Sequence, residues 1–193
     1  MLAVCSGLFH ILAYLDYNSQ VARGRTKPNG TTWLIWSILA VASSASYLKA
    51  TGDVWKSVIP LVNVVLCVAT LALAVYMKEF KRPDRTDFVA LIIGVIAVLV
   101  WKKYGSAKYA NLIVQVAILM GFIPTWRSII KDPACERSRP WCIWTAGYVL
   151  SIAVVILRWN GQGCDLAYPI NMVILHPSIP ILAMMRRRKF SKK

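Results

Sequence analysis

Negative charge is scarce in this chain. Eight aspartates and glutamates stand against 23 lysines and arginines in 193 residues, and charged residues make up only 16% of the whole. A soluble domain keeps its surface wet with roughly a quarter of its residues charged, which argues against an ordinary soluble fold. Histidine is scarcer still: His10 and His176 have no carboxylates arranged around them, so no metal site is expected. The five cysteines, Cys5, Cys67, Cys135, Cys142 and Cys164, are odd in number and lack any short spacing. They read as small apolar filler, not as disulfides or zinc ligands. Phosphate loop, dinucleotide fingerprint, nucleophile elbow and H-E-x-x-H are all missing, so the expectation is no catalytic residue, no cofactor and no enzyme. Met1 leads into apolar sequence without a basic n-region or a small-residue cleavage site, so the first segment is expected to remain as a helix.

What the chain has is apolar surface. Hydrophobic residues make up 58%, and mean hydropathy is +0.55. The charges cluster and leave seven apolar runs, at residues 2–17, 32–50, 54–77, 88–101, 109–130, 141–158 and 165–185. These approach the ~20 residues that cross a ~30 Å hydrocarbon layer as a helix. They are continuously apolar and do not alternate, which argues against a barrel. The expected class is an all-α membrane protein with seven transmembrane helices.

The net charge of +15 is distributed by side, not gathered on one face. With seven spans, segments 18–31, 78–87, 127–140 and the C-terminus share a side and carry 17 of the 23 basic residues, Lys78, Lys81, Arg82 and Arg85 among them. That bias predicts an inner or plasma membrane protein with its N-terminus outside and its C-terminus in the cytoplasm. The basic tail, 187–193, is expected to meet anionic headgroups together with Arg186. Nucleic acid is not an expected partner. No lysine lies deep in the seventh span, which disfavours a retinal receptor.

Shifted by 108 residues, the sequence matches itself. Trp33-Leu34-Ile35-Trp36 falls on Trp141-Cys142-Ile143-Trp144, and Asn63, Val65 and Met77 fall on Asn171, Val173 and Met185 without a gap. The expected division is a first three-helix repeat at 1–80, a linker helix at 81–104, a second three-helix repeat at 105–186 and the basic tail. A three-helix unit reverses direction across the membrane, and one extra crossing restores it. Two parallel three-helix repeats joined by a linker helix are therefore predicted, with a site between them.

Pro124, Pro140 and Asn171 sit at spacings suited to the helix prolines and pocket asparagine of the SWEET and PQ-loop superfamily, which the chain resembles in its whole topology. The first half keeps Asn63 but has Asp16 opposite Pro124 and Thr32 opposite Pro140; Tyr47 and Val155 stand near the family's pocket tryptophan position. The loops 23–33 and 131–141 also resemble those of small bacterial membrane proteins. The resemblance implies a small-molecule solute carried by alternating access.

Individual residues carry two readings each. Asn63 and Asn171 either clamp a solute at mid-membrane or hydrogen-bond between helices. Asp16 either binds a cation, proton or substrate, or ends the first helix and pairs with Arg23 or Arg25. His10 and His176 either couple transport to protons or bond a neighbouring backbone. Pro60, Pro124, Pro140 and Pro169 are hinge candidates or packing bends. Trp36 and Trp144 are gate candidates or part of the interfacial belt. Tyr47, Asn111 and Gln115 are further candidates for binding solute. The function expected is transport of a small neutral or cationic solute; the alternative is a membrane sensor or partner-binding protein on the same fold. A homo-oligomer is left open.

Overall fold

Polar caps and glycines mark where each apolar run starts and stops. Asn29 opens one helix by accepting from the backbone N–H groups of Thr31 (3.1 Å) and Thr32 (3.5 Å), and Gly52 closes it in the left-handed conformation at φ 62°. Ser106 opens another by accepting from Tyr109 N–H. The computed structural model describes residues 1–79, 83 and 85–190, the last two by backbone only. Of the expected basic clusters, Lys81, Arg82, Lys192, Lys193 and the Lys189 side chain lie outside the described residues. The elements are α1 (Leu2–Ala22), α2 (Gly30–Thr51), α3 (Val58–Tyr76), α4 (Arg85–Tyr104), α5 (Ala107–Lys131), α6 (Ser138–Leu157), a short 3-10 turn (Gly163–Leu166) and α7 (Ala167–Phe190).

Five segments are long and apolar enough to cross a membrane: Gly30–Thr51, Val58–Tyr76, Ala107–Lys131, Ser138–Leu157 and Gly163–Arg188. Leu12, Leu15, Val65, Ile92, Leu99 and Ile174 are each more than half exposed, as lipid-facing side chains are. The chain is a helical integral-membrane protein. Helices α1 and α4 are longer than the expected runs 2–17 and 88–101, because backbone hydrogen bonding continues through polar residues that end an apolar window. Asp16 is consequently not a helix end: α1 runs six residues past it to Ala22. Likewise α7 continues through the arginines to Phe190, so the basic run begins as helix. Arg186 and Arg187 turn back onto the carbonyls of Ile130 and Pro133.

Packing follows a pattern that proximity in sequence does not explain. Helix α1 lies against α3 and α6, and α5 lies against α7 and α2. Helices α2 and α3 pack together, as do α6 and α7. The pairs α1–α3, α2–α3 and α1–α6 thus recur as α5–α7, α6–α7 and α5–α2. Helix α4 packs extensively on α5 and lightly on α2.

Two glycines let the crossed helices meet. A Cβ on Gly147 of α6 would lie 2.5 Å from His10 Nδ1 on α1, and one on Gly121 of α5 would lie 2.7 Å from Trp36 Nε1 on α2. Neither space exists for a methyl group. Gly147→Ala is expected to destabilise the protein by about 1–3 kcal/mol through overpacking. His10→Ala in the same chain should recover much of that loss. Unfolding in detergent measures both, and strictly additive single and double variants would show that the contact is not limiting.

Candidate functional site

Between the two sets of helices lies a cavity of about 60 Å³. At the ~10–15 Å³ that one water needs, it has room for roughly four to six waters. Eight of its sixteen lining residues are Tyr, Trp or Phe, and no Lys, Arg, Asp or Glu is among them. The rings brace one another edge to face: Tyr14 on Trp144 at 4.8 Å, Trp33 on Trp36 at 5.1 Å and Trp141 on Trp144 at 5.2 Å. Ten lining residues form five pairs that are 108 positions apart: Tyr14 with Phe122, Trp33 with Trp141, Trp36 with Trp144, Ala40 with Tyr148, and Pro60 with Tyr168.

Three polar atoms on lining residues have no partner among the described residues: Trp36 Nε1, Ser43 Oγ and Asn63 Oδ1. Asn63 spends its Nδ2 on the hydroxyls of Tyr148 (3.2 Å) and Tyr168 (3.0 Å), and these two hydroxyls are 3.3 Å apart. An unpaired amide oxygen, an indole N–H and a hydroxyl in apolar surroundings are costly.

The two asparagines part company here. Asn171 is absent from the lining and donates to the backbone oxygen (3.1 Å) and Oε1 (3.3 Å) of Gln115. Gln115 in turn donates to Asn111 Oδ1 at 3.3 Å, and Asn111 to Ser46 Oγ at 3.1 Å. The cause is legible in the 108-residue register. Tyr148 and Tyr168, which serve Asn63, correspond to Ala40 and Pro60, which have no hydroxyl to offer Asn171. Gln115, which serves Asn171, corresponds to Gly7, which has no side chain to offer Asn63. Asn111, Gln115 and Asn171 therefore form a ladder that ties α2, α5 and α7.

The remaining candidates are placed as follows. Trp36, Trp144, Pro60 and His176 line the cavity, and Tyr47 does not. His10 and His176 each place Nδ1 3.1 Å from the carbonyl four residues earlier, Ser6 and Met172 respectively. Pro124 is inside α5, Pro140 is in the first turn of α6, and Pro169 is in the first turn of α7. Asp16 pairs with Arg139 of α6, not with Arg23 or Arg25. Packing of α1 on α6 brings the start of α6 beside it, whereas Arg23 and Arg25 lie beyond the helix end. Tyr14, Tyr148 and Tyr168 were not singled out from sequence, although Tyr148 lies one helical turn after Trp144.

Contacts between the two sets of helices are found toward both ends of the bundle. At the end carrying the basic loops, Tyr17 donates to Glu136 Oε1 (3.1 Å), Trp141 donates to Glu136 Oε2 (3.1 Å), and Asp16 meets Arg139. Burial pushes the Glu136 carboxyl up to about 8, against the opposing pull of the Trp141 and Tyr17 hydrogen bonds. At the far end, Lys56 Nζ lies 2.6 Å from Asp165 Oδ2 with both side chains buried, Tyr47 donates to the Asp165 carbonyl at 2.6 Å, and Arg158 meets Asp53 at 2.6 Å. Neither Lys56 nor Glu136 drew attention in the sequence, since a loop charge looks alike whether it is buried or solvated.

No family model matches the chain, and neither the curated proteins nor the solved structures give a match to it.

The buried ion pair makes a prediction. Lys56→Met leaves Asp165 buried and unpaired and is expected to cost about 3–5 kcal/mol, while Lys56→Met with Asp165→Leu should restore most of it. Denaturant titration in detergent reads both. A double variant as unstable as the single would refute the assignment.

Proposed function

We propose that this protein is a carrier with two parallel three-helix repeats and α4 as linker, moving a small net-neutral solute by alternating access. The observation that carries the reading is the aromatic cavity between the sets of helices, with Trp36 Nε1, Ser43 Oγ and Asn63 Oδ1 unpartnered among the described residues. The five lining pairs at 108-residue spacing and the matched helix packing support a pseudo-two-fold axis through that cavity. The SWEET-like arrangement rests on these features and on the sequence spacings. In this reading the basic end faces the cytoplasm, by the positive-inside bias.

Substrate chemistry follows from the lining. No charged side chain is present to balance a full charge, which weighs against the cationic solute and favours the neutral one. Trp36 can only donate, Asn63 Oδ1 can only accept and Ser43 can do both, so the solute offers at least one acceptor and one donor. Flat aromatic walls suit an apolar or C–H face between those groups. The cavity, at about 60 Å³, is well below the ~300–1,000 Å³ of drug-sized sites, so the solute is small or the cavity widens to take it.

Uptake into proteoliposomes, with a panel of small polyols, amides, zwitterions and organic cations, tests this. A neutral or zwitterionic compound should be taken up, and organic cations should not. Asn63→Ala should lower uptake by roughly tenfold or more, the effect of losing a buried hydrogen bond of ~1–3 kcal/mol. Asn171→Gln should leave it within about threefold, because Asn171 is outside the lining. Undiminished uptake in Asn63→Ala, or no uptake of any panel member, would reject the carrier.

A further inference from the structure

His176 brings to the cavity a nitrogen whose role is set by its own helix. Its Nδ1 lies 3.1 Å from the Met172 carbonyl oxygen on α7. A carbonyl only accepts, so Nδ1 carries the proton and donates, and the neutral ring keeps a bare lone pair on Nε2. Nε2 lies farther from Cβ than Nδ1 does, so with Nδ1 turned back onto α7 the lone pair points away from that helix. The ring meets Phe122 of α5 at 5.5 Å and Trp141, Trp144 and Tyr148 of α6 at 5.4, 5.9 and 4.8 Å. All four line the cavity, as His176 itself does. His176 is 8% exposed, and its Nε2 has no hydrogen-bond partner among the described residues. A second proton on that nitrogen would face aromatic walls and, among the lining residues, no carboxylate.

The cavity therefore holds two atoms that can only accept, His176 Nε2 and Asn63 Oδ1, against one that can only donate, Trp36 Nε1. The acceptors come from opposite sets of helices, Asn63 from α3 and His176 from α7. In the 108-residue register His176 falls on Val68, so this acceptor is supplied from one side alone. A solute that satisfies all three brings at least two donor hydrogens and one acceptor. An amide N–H group with its neighbouring carbonyl supplies that set, and its flat plane lies against ring faces with little void. Room for roughly four to six waters is room for about as many heavy atoms of a solute.

We infer that His176 is a specificity-determining acceptor of the cavity and that the solute is a small uncharged amide of the urea or carboxamide class. The Met172 carbonyl fixes the tautomer, the tautomer makes Nε2 an acceptor, and the acceptor demands an N–H from the solute. Acetone matches urea in shape and carbonyl but has no donor, so it leaves both His176 Nε2 and Asn63 Oδ1 unsatisfied. The inference rests on the cavity being the solute site of the carrier reading, and not on transport.

Because His10 and His176 are the only histidines, nitrogen labelling of histidine in the full-length protein gives NMR spectra of two rings. At neutral pH in lipid nanodiscs, His176 should show a protonated Nδ1 and a bare Nε2. Urea, kept below denaturing concentrations, should shift the His176 Nε2 signal to saturation as that nitrogen accepts a hydrogen bond. Acetone should not, and His10, which is outside the lining, should respond to neither. His176→Phe should weaken urea binding roughly tenfold, read from the Trp36 indole signal, and His176→Gln, whose side-chain oxygen accepts, should recover most of it. The wild-type spectra decide the matter even where a variant fails to fold. A protonated Nε2, equal saturation by urea and acetone, or no response to urea would overturn the inference. Saturable urea binding without uptake of urea into proteoliposomes would support the role of His176 and reject the carrier. Uptake of another neutral solute by a protein whose His176 ignores urea would reject this inference and leave the carrier standing.

Discussion

The amide of Asn63 sits in an apolar helix, so it has to find its partners inside the protein or in the cavity it lines. It finds Tyr148 and Tyr168, which belong to the other set of helices, and this bond joins α3 to α6 and α7 across the cavity. The two hydroxyls are held in turn by ring packing: Tyr148 lies 4.4 Å from His10 and Tyr168 lies 5.4 Å from Tyr47. His10 fits only because residue 147 is glycine. The cavity persists because these rings prop one another apart, and Asn63 still has an oxygen to spare. Polar satisfaction inside hydrocarbon thus sets the helix register, the ring positions and the open space together.

The contacts at the two ends of the bundle use different physics. The far end is held by a buried charge pair, Lys56 with Asp165, for which loss of either partner strands the other. The basic end has an ion pair too, but Arg139 is largely exposed and its attraction to Asp16 is screened by salt. The buried member of that layer is Glu136, whose carboxyl accepts from Tyr17 and Trp141. One end therefore has a buried ion pair and the other an exposed one beside a buried, hydrogen-bonded carboxyl.

Much of this was legible in the residues. Seven apolar runs gave seven helices, with α1 and α4 extending through polar residues that an apolar window cannot see. The shift by 108 residues picked out Trp36, Trp144 and Asn63, and all three line the cavity. It could not assign the asparagine partners, because that depends on what lies opposite each one, Tyr148 and Tyr168 in one case and Gln115 in the other. Asp16 was visible as an expensive carboxylate, yet its partner Arg139 comes from a helix 123 positions away in sequence. His10 and His176, which the 108-residue shift does not match to each other, each lie 3.1 Å from the carbonyl four residues earlier.

Sequence by itself determined the solvent, the helices and the recurrence, since these follow from apolar content, run length and spacing, which are local or periodic properties. Tertiary structure alone decided which polar groups were satisfied and which were left over. Asn63 and Asn171 have the same side chain in matched positions, but one faces two hydroxyls and an open cavity and the other faces an amide. Glu136 is one of several loop charges in the sequence, and only the meeting of α1 with α6 buries it beneath two tryptophans. The reason is physical: burial and hydrogen-bond partnership are properties of pairs brought together by packing, and no single residue carries them.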